Sequence, residues 1–189
     1  MSESVTLHLM RHGEPTMAGR LLGRTDCPAT PHGIARCGEA ARRLEVSTVI
    51  ASDLRRAAEC GAAAAEGLGL PLRLDPRWRE LDFGAWDGLD PAEVESAALA
   101  RFWRDPDTCP PPDGERWSSL VARVAAAVTE VTAPTLVVTH AGAMRAALAA
   151  LCGLDAQQVW AFDLPYGCVL SLAVWPGPPR TAQVRSLVP

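Results

Sequence analysis

The sequence predicts a three-layer α/β sandwich in which helices flank a mainly parallel central sheet on both faces. Short apolar runs alternate along the chain with longer segments whose apolar residues recur at helical spacing, which is typical of this fold class. Polar clusters follow directly after three of these runs, where open parallel sheets place their ligand-binding groups. We expect one domain over residues 1–189, because this length buries a sufficient core without disulfides or metal.

The first half of the chain contains two predicted strand–helix units and a short third strand. The run Val5–Met10 is typical of a short buried strand, and a loop over Pro15–Pro28 follows it. Thr30 then has the form of a helix N-cap, with Pro31 at the first helical position. The other elements predicted here are a strand over Thr48–Ala51, a helix over about Leu54–Glu66 and a strand over Pro71–Leu74.

The second half contains a further helical segment, a strand–helix unit and an edge hairpin. Asp90-Pro91-Ala92-Glu93 has the form of a capping box, which predicts a helix from there to about Trp103. A proline-rich loop over Pro106–Gly114 follows it. The remaining predicted elements are a helix with its apolar face between Trp117 and Val131, a strand over Pro134–Thr139, a helix over Ala143–Cys152, and strands over Val169–Trp175 and Thr181–Leu187.

Composition and charge exclude several classes of function. All 18 basic residues are arginine, so neither a Walker-type phosphate loop nor Schiff-base chemistry on lysine is available. The net charge of −4 gives no reason to expect nucleic acid or an acidic membrane as a partner. The N-terminus lacks the pattern of a signal peptide, and no apolar run is long enough for a membrane span. We therefore expect a cytoplasmic protein, in which the scattered cysteines stay reduced.

Polar groups that follow three of the predicted strands would meet at one edge of a parallel sheet. These groups are Arg11 and His12 after the first strand, Ser52 and then Arg56 after the second, and His140 after the strand Pro134–Thr139. Two histidines and two arginines in one crevice would repel each other and lose solvation unless an anion bound among them. Imidazole is a nucleophile, arginine clamps oxyanions, and Gly13 lets backbone N–H groups approach a ligand. The pattern favours phosphate chemistry.

Four segments resemble the histidine phosphatase superfamily, which includes the cofactor-dependent phosphoglycerate mutases, and they occur in the order typical of that family. The segments are Arg11–Glu14, Ser52–Ala57, Arg79–Gly88 and Val138–Gly142. The resemblance covers nearly the whole chain. It implies the same three-layer α/β fold, with the active site at the C-terminal ends of the strands.

The resemblance also implies roles for individual residues. His12 would attack phosphorus and carry the phosphoryl group, while its other ring nitrogen donates to a backbone carbonyl that fixes the tautomer. Glu80 would protonate the leaving oxygen and later take a proton from water, with Asp82 and Asp87 as alternative acids. The groups that would hold the phosphoryl oxygens are Arg11, Arg56 and His140.

The sequence departs from the family pattern at one position of the phosphate site. The family commonly has an asparagine a few residues after the Arg-His-Gly triplet, and this sequence contains no asparagine. We expect Arg20, Arg24 or a backbone N–H to replace that contact, and we count Arg24 among the phosphate-binding candidates. Residues 87–117 form a short insertion by family standards, which predicts a lid over a small substrate.

The function that these features predict is hydrolysis of a small phosphomonoester through a phosphohistidine, without a metal or other cofactor. The segment Leu81–Gly88 resembles bacterial phosphatases that act on α-ribazole 5′-phosphate, which is one candidate substrate. The mutases have a His-Tyr-Gly pattern and a lysine that this chain lacks, but mutase-type phosphoryl transfer stays an alternative. A non-catalytic module that binds a phosphorylated ligand is the second alternative. The expected partner is a small phosphorylated metabolite; a homodimer is a candidate assembly.

Overall fold

A mixed sheet, parallel over most of its width, occupies the centre of the protein in a computed structural model that describes residues 3–189. The strand order within this sheet of six strands is β3-β2-β4-β1-β5-β6. The strands are β1 Val5–Arg11, β2 Thr48–Ala51, β3 Leu72–Leu74, β4 Thr135–Thr139, β5 Val169–Trp175 and β6 Thr181–Val188. Strands β1 to β4 pair in parallel, whereas β5 and β6 add an antiparallel edge. The predicted mainly parallel sheet is confirmed.

Helices cover both faces of the sheet and form two layers. The helices are α1 Pro31–Ala41, α2 Arg55–Leu68, α3 Ser96–Arg104, α4 Trp117–Val128 and α5 Ala141–Cys152. Short 3-10 turns lie at Pro76–Trp78, Gly84–Trp86, Pro91–Glu93 and Gln158–Ala161. No helix within residues 3–189 combines the length and the apolarity that a membrane crossing requires.

The side chains of the central strands alternate between the two layers, as the pleat of a strand requires. Leu7 and Leu9 of β1 are buried in the core that contains α4 and α5. Met10, the next residue on the same strand, belongs to the core formed with α1 and α2. Because the end of β1 is buried on both faces, at Leu9 and Met10, the polar residues that follow it have a rigid support.

The helix boundaries follow the capping residues of the sequence. The Thr30 hydroxyl accepts a hydrogen bond of 3.0 Å from the Gly33 N–H, with Pro31 at the first position of α1, as predicted. Gly69 ends α2 and Gly153 ends α5, both in the left-handed conformation that favours glycine.

The predicted helix from Asp90 to Trp103 is wrong in its first part. The capping box does form, with hydrogen bonds of 2.9 Å from Ala92 N–H to Asp90 and 2.8 Å from Asp90 N–H to Glu93. It starts only a 3-10 turn, because Val94 is extended and packs into the core. Helix α3 begins at Ser96 instead, after the Glu95 carboxylate caps the backbone again.

Candidate active site

A cavity of about 320 Å³ lies at the carboxyl edge of the parallel strands. Its wall contains four of the residues that the sequence predicts for the site, which are Arg11, His12, Arg56 and Glu80. His140 is fully buried beside them, with the centre of its ring 5.0 Å from that of His12. Parallel pairing explains this convergence, because β1 and β4 end side by side at Arg11 and Thr139.

His12 is held as a neutral imidazole with one free nitrogen. The backbone N–H of His12 donates to the Thr139 carbonyl at 2.8 Å, which fixes the main chain directly after β1. Its Nδ1 lies 2.7 Å from the Gly13 carbonyl oxygen; a carbonyl only accepts, so Nδ1 carries the proton and Nε2 keeps its lone pair. This is the carbonyl partner that the sequence predicts. Burial, reinforced by the charge of Arg56, holds the pKa of His12 well below its ordinary value.

Gly13 serves packing instead of the backbone approach to a ligand that the sequence suggests. A Cβ atom on residue 13 would clash with the backbone of Gly33 in the first turns of α1. The Gly13 N–H is already bonded to the Cys60 sulfur at 3.2 Å, so it is not free for an anion. Glycine is therefore required here because the loop that carries His12 lies directly against α1.

Arg11 and Arg56 place two guanidinium groups in the cavity wall. Arg56 donates to the carbonyls of Leu22 at 2.7 Å and Thr25 at 2.9 Å, which orient its side chain. Arg11 donates to the Leu164 carbonyl at 2.6 Å and lies 3.9 Å from the centre of the Tyr166 ring. In both arginines the Nε atom is buried and has no hydrogen-bond partner among the described residues. An anion in the cavity would be the natural acceptor.

His140 has one ring nitrogen bonded and the other free. Its Nε2 lies 2.9 Å from the Ser52 hydroxyl oxygen, which accepts a hydrogen bond from the Leu54 N–H at 3.3 Å. Its Nδ1 is buried without a partner among the described residues. Burial and then the charge of Arg56 hold the pKa of His140 well below its ordinary value, so the ring is neutral. The sequence places Ser52 at this edge, but only the structure shows that it binds His140.

Glu80 is held by two backbone N–H groups, its neighbour's and one at the start of α5. One carboxylate oxygen accepts from the Gly142 N–H at 3.0 Å and the other from the Leu81 N–H at 2.8 Å. The alternative acids Asp82 and Asp87 do not line the cavity, and both are bonded to the loop residues Arg24 and Thr25 or to nearby backbone. The geometry favours Glu80.

Arg123 of α4 fixes the backbone on which Glu80 lies. It donates to the Arg79 carbonyl at 2.7 Å and to the Glu80 carbonyl at 2.8 Å. Its Nε pairs with the Glu115 carboxylate at 2.8 Å in a largely buried ion pair. The sequence does not reveal this role, because Arg123 is one of many arginines and its partners are distant along the chain.

A sequence model of the histidine phosphatase superfamily (branch 1) matches residues 7–186. The chain belongs to this superfamily. The predicted resemblance is thereby confirmed.

Similar proteins include phosphatases for different phosphorylated molecules. The glucosyl-3-phosphoglycerate phosphatase of Mycobacterium tuberculosis is 32% identical over 165 residues, which cover 77% of this chain and 74% of the relative. The adenosylcobalamin/alpha-ribazole phosphatase of Salmonella typhimurium is 26% identical over 184 residues, covering 90% and 91%. The solved native structure of mycobacterial glucosyl-3-phosphoglycerate phosphatase superposes with a TM-score of 0.85 at 25% identity, covering 96% and 97%. This histidine phosphatase is a phosphoric monoester hydrolase.

Of the two loop arginines that could replace the family's asparagine, only one lies in the cavity wall. Arg20 lines the cavity of this histidine phosphatase, whereas Arg24 does not. The Nε atom of Arg24 donates to Asp82 at 3.1 Å, and its backbone N–H donates to Asp87 at 2.5 Å. Arg24 therefore orders the loop and is not brought together with the other predicted site residues.

Several cavity residues of this histidine phosphatase are missed by the sequence patterns. Arg145 and Tyr166 line the cavity, together with the side chains of Trp103, Trp117 and Trp160. Arg145 is the only charged residue of the apolar helix α5, and Tyr166 is the only tyrosine of the chain. A single charged residue in an apolar helix and a single tyrosine in the chain are the sequence features that could have pointed to these two residues. Within residues 3–189, no group of three or more His, Cys, Asp or Glu side chains is placed to hold a metal ion.

Proposed function

We propose that this protein is a metal-independent phosphatase that hydrolyses small phosphomonoesters through a covalent phosphohistidine on His12. The observation that supports this most is the neutral, buried imidazole whose Nδ1 is bound to the Gly13 carbonyl. Its free Nε2 belongs to a cavity that also contains Arg11 and Arg56, whose charges replace the usual role of Mg²⁺.

In the first half of the reaction, His12 Nε2 attacks phosphorus and the bond from phosphorus to the ester oxygen breaks. The protonated carboxyl group of Glu80 gives its proton to that leaving oxygen, so that a neutral alcohol departs. The charge on the three transferred oxygens is stabilised by hydrogen-bond donors that face them from Arg11, Arg56 and His140.

In the second half, the Glu80 carboxylate takes a proton from water, and the oxygen of that water attacks phosphorus. The bond between phosphorus and His12 Nε2 breaks, which releases inorganic phosphate and restores the neutral imidazole. Glu80 is protonated again at the end of the cycle, ready for the next substrate.

The Ser52 hydroxyl supports this proposal because its donation to Nε2 would set the tautomer of His140. The hydroxyl oxygen accepts from the Leu54 N–H, and its own proton is free to bond to His140 Nε2. The ring proton of a neutral His140 then belongs to Nδ1, the atom without a protein partner. His140 would donate this proton to a phosphoryl oxygen.

A small substrate fits the volume of the cavity, about 320 Å³. Two substrate types are suggested: α-ribazole 5′-phosphate by the mid-chain motif, and a phosphorylated glycerate by the name of the mycobacterial relative. Large side chains cover much of the cavity wall, including Phe83, Phe102 and Trp117. These would contact the organic part of either substrate.

The proposal is tested with p-nitrophenyl phosphate in the presence of EDTA, and with a ³²P-labelled substrate quenched in base and then exposed to acid. We expect hydrolysis that EDTA does not affect and a phosphoenzyme that acid destroys. His12→Ala should abolish both signals. Undiminished turnover in His12→Ala would contradict the proposal, and tight binding of phosphomonoesters without any turnover would indicate a binding module instead.

A further inference from the structure

Arg145 has a guanidinium group in the cavity wall that no carboxylate contacts directly within the described residues, and burial lowers its pKa more than the nearby charge of Glu80 raises it. Its guanidinium group lies 3.9 Å from the centre of the Trp160 ring, and one terminal nitrogen donates weakly to the Phe162 carbonyl at 3.4 Å. Its Nε is buried without a hydrogen-bond partner, and no carboxylate of residues 3–189 lies within 4.0 Å of it. A partly buried, unpaired guanidinium is costly unless a ligand binds it.

Arg145 lies on the helix whose first turn binds the Glu80 carboxylate, and both side chains line the cavity. Gly142, whose N–H binds Glu80, precedes Arg145 by three residues on the same face of α5. The Cα atom of Arg145 therefore lies about 5 Å along the helix axis from that of Gly142, and its side chain leans back towards the first turn. Among the charged groups around Arg145, Glu80 acts on it most strongly, which places Arg145 on the side of the acid. Since Glu80 would face the leaving oxygen, a group that reaches Arg145 belongs to the alcohol part of the substrate.

The phosphoryl group already has enough donors without Arg145. Arg11, Arg56 and His140 each have a buried nitrogen without a protein partner, one for each of three equatorial oxygens. The Nε–H of Arg145 and a parallel N–H of the same guanidinium form the fork that a planar carboxylate accepts with both oxygens.

We infer that Arg145 binds a carboxylate on the alcohol part of the substrate, so that phosphorylated hydroxy acids are the preferred substrate class. This inference rests on the proposed function, since it assigns the specificity of the same site. It favours a phosphorylated glycerate over α-ribazole 5′-phosphate, which has no carboxylate.

The aromatic residues at the mouth of the cavity leave room for a substituent on the hydroxy acid. Trp160 covers one side of the Arg145 guanidinium and makes an edge-on contact with Trp103, with 5.2 Å between the ring centres. Both tryptophans remain more than a third exposed. A substrate held by Arg145 would bring its remaining carbon skeleton against these rings, where apolar surface is removed from water.

The test compares 3-phosphoglycerate with glycerol 3-phosphate, which has a CH₂OH group in place of the carboxylate. We expect a kcat/KM for 3-phosphoglycerate that is about 10- to 100-fold higher, the range of a charged hydrogen-bonded pair. Arg145→Met should bring this ratio close to one, mainly by raising KM for 3-phosphoglycerate. Arg145→Lys should give an intermediate ratio because it keeps the charge but not the fork. The matched control is Arg43→Met, which should keep the wild-type ratio because Arg43 is an exposed residue just after α1.

Equal kcat/KM for both probes in the wild type would overturn the inference, as would an Arg145→Met variant that loses activity equally on both. The second of these results would place Arg145 with the phosphoryl group or with Glu80. Thermal melts of the variants identify any loss of folding, and the wild-type comparison does not depend on them.

A binding measurement distinguishes failure of this inference from failure of the proposed function. Titration calorimetry of the His12→Gln protein with both probes gives a Kd ratio that does not require turnover. A preference for 3-phosphoglycerate without hydrolysis of any phosphomonoester by the wild type would support Arg145 as a carboxylate site and contradict the phosphatase mechanism. Hydrolysis of p-nitrophenyl phosphate without a Kd preference would support the phosphatase mechanism and contradict Arg145 as a carboxylate site.

Discussion

The Gly142 N–H donates a hydrogen bond of 3.0 Å to the Glu80 carboxylate, and a Cβ atom on residue 142 would clash with that carboxylate. The first turn of α5 thus supplies both the donor that positions the acid and the space that the acid occupies. The φ angle of Gly142 is not in the left-handed region, so the backbone conformation does not demand glycine here. Glycine is required because a larger residue would not leave space for Glu80.

Gly142→Ala should therefore displace Glu80 and lower kcat by about 100-fold on an alkyl phosphate, the loss expected for a general acid. The loss should be smaller on p-nitrophenyl phosphate, since p-nitrophenolate departs without a proton. Steady-state kinetics on both substrates measure the difference. Gly67→Ala, in the helix α2, is the matched control and should keep wild-type kinetics because a Cβ there meets only ordinary contacts. Equal losses on both substrates would contradict the proposed role of Glu80.

Stability should fall in acid because His12 and His140 are buried as neutral rings. Burial first, and Arg56 second, holds both pKa values well below the ordinary 6.5. Between the lowered pKa and 6.5 the unfolded chain binds more protons than the folded protein, so acidification favours unfolding. The free energy of unfolding should fall by up to about 1.4 kcal/mol per pH unit for each histidine below pH 6.5.

Urea unfolding at several pH values between about 5 and 7.5 measures this slope. His12→Gln and His140→Gln should each flatten the slope, because each removes one group that must be neutral in the folded state. The same lowered pKa of His12 predicts that the acidic limb of kcat/KM lies below pH 6.5, since the nucleophile stays unprotonated there. A slope that neither substitution changes would refute this explanation.

The convergence of His12 and His140 could be predicted because it depends on a short-range pattern. Each follows directly after a strong apolar run, and parallel strands bring such positions to one edge. The same argument brings the first turn of the helix after β2 to this edge, and the resemblance to the family then selects Arg56 over its neighbour Arg55. For the two histidines a local signal and a general rule of sheet topology were sufficient.

Arg24, Arg145 and the start of α3 could not be predicted in this way, because distant contacts decide them. Arg24 is bonded to Asp82, 58 residues away, which no local pattern reveals. The role of Arg145 depends on Trp160, which a loop beyond α5 brings to the cavity. Val94 interrupts the predicted helix because the core has room for its side chain, and that space is defined by elements far along the chain.

Ser52→Ala should weaken catalysis by removing the hydroxyl that positions His140. Without the bond to Nε2, the proton is no longer confined to Nδ1, so the hydrogen bond from His140 to the charged phosphoryl oxygen is weakened. We expect about a tenfold lower kcat/KM, the effect of losing one hydrogen bond to a charged group. ¹⁵N NMR of the imidazole should show a change in the tautomer of His140, which a purely structural role would not cause. The matched control is Ser171→Ala, which removes a similar bond of 2.8 Å to His8 away from the cavity. An unchanged His140 tautomer in Ser52→Ala would contradict this role.

The adjacent arginines Arg55 and Arg56 allow the contribution of charge to the phosphate site to be tested with a matched pair of variants. Arg56 is almost fully buried and lines the cavity, whereas Arg55 is exposed and pairs with Glu59 one turn along the helix. Arg56→Ala should lower kcat by about 100- to 1,000-fold, the usual loss when one preorganised donor to a developing charge is removed. Arg56→Lys should not restore kcat, because a point charge cannot reproduce the guanidinium's several donors.

The control variant Arg55→Ala should retain wild-type kinetics, since an exposed ion pair one helical turn apart contributes little. Single-turnover measurements with a ³²P-labelled substrate assign the loss to phosphorylation of His12, and equal effects of the two alanine variants would refute the assignment of Arg56.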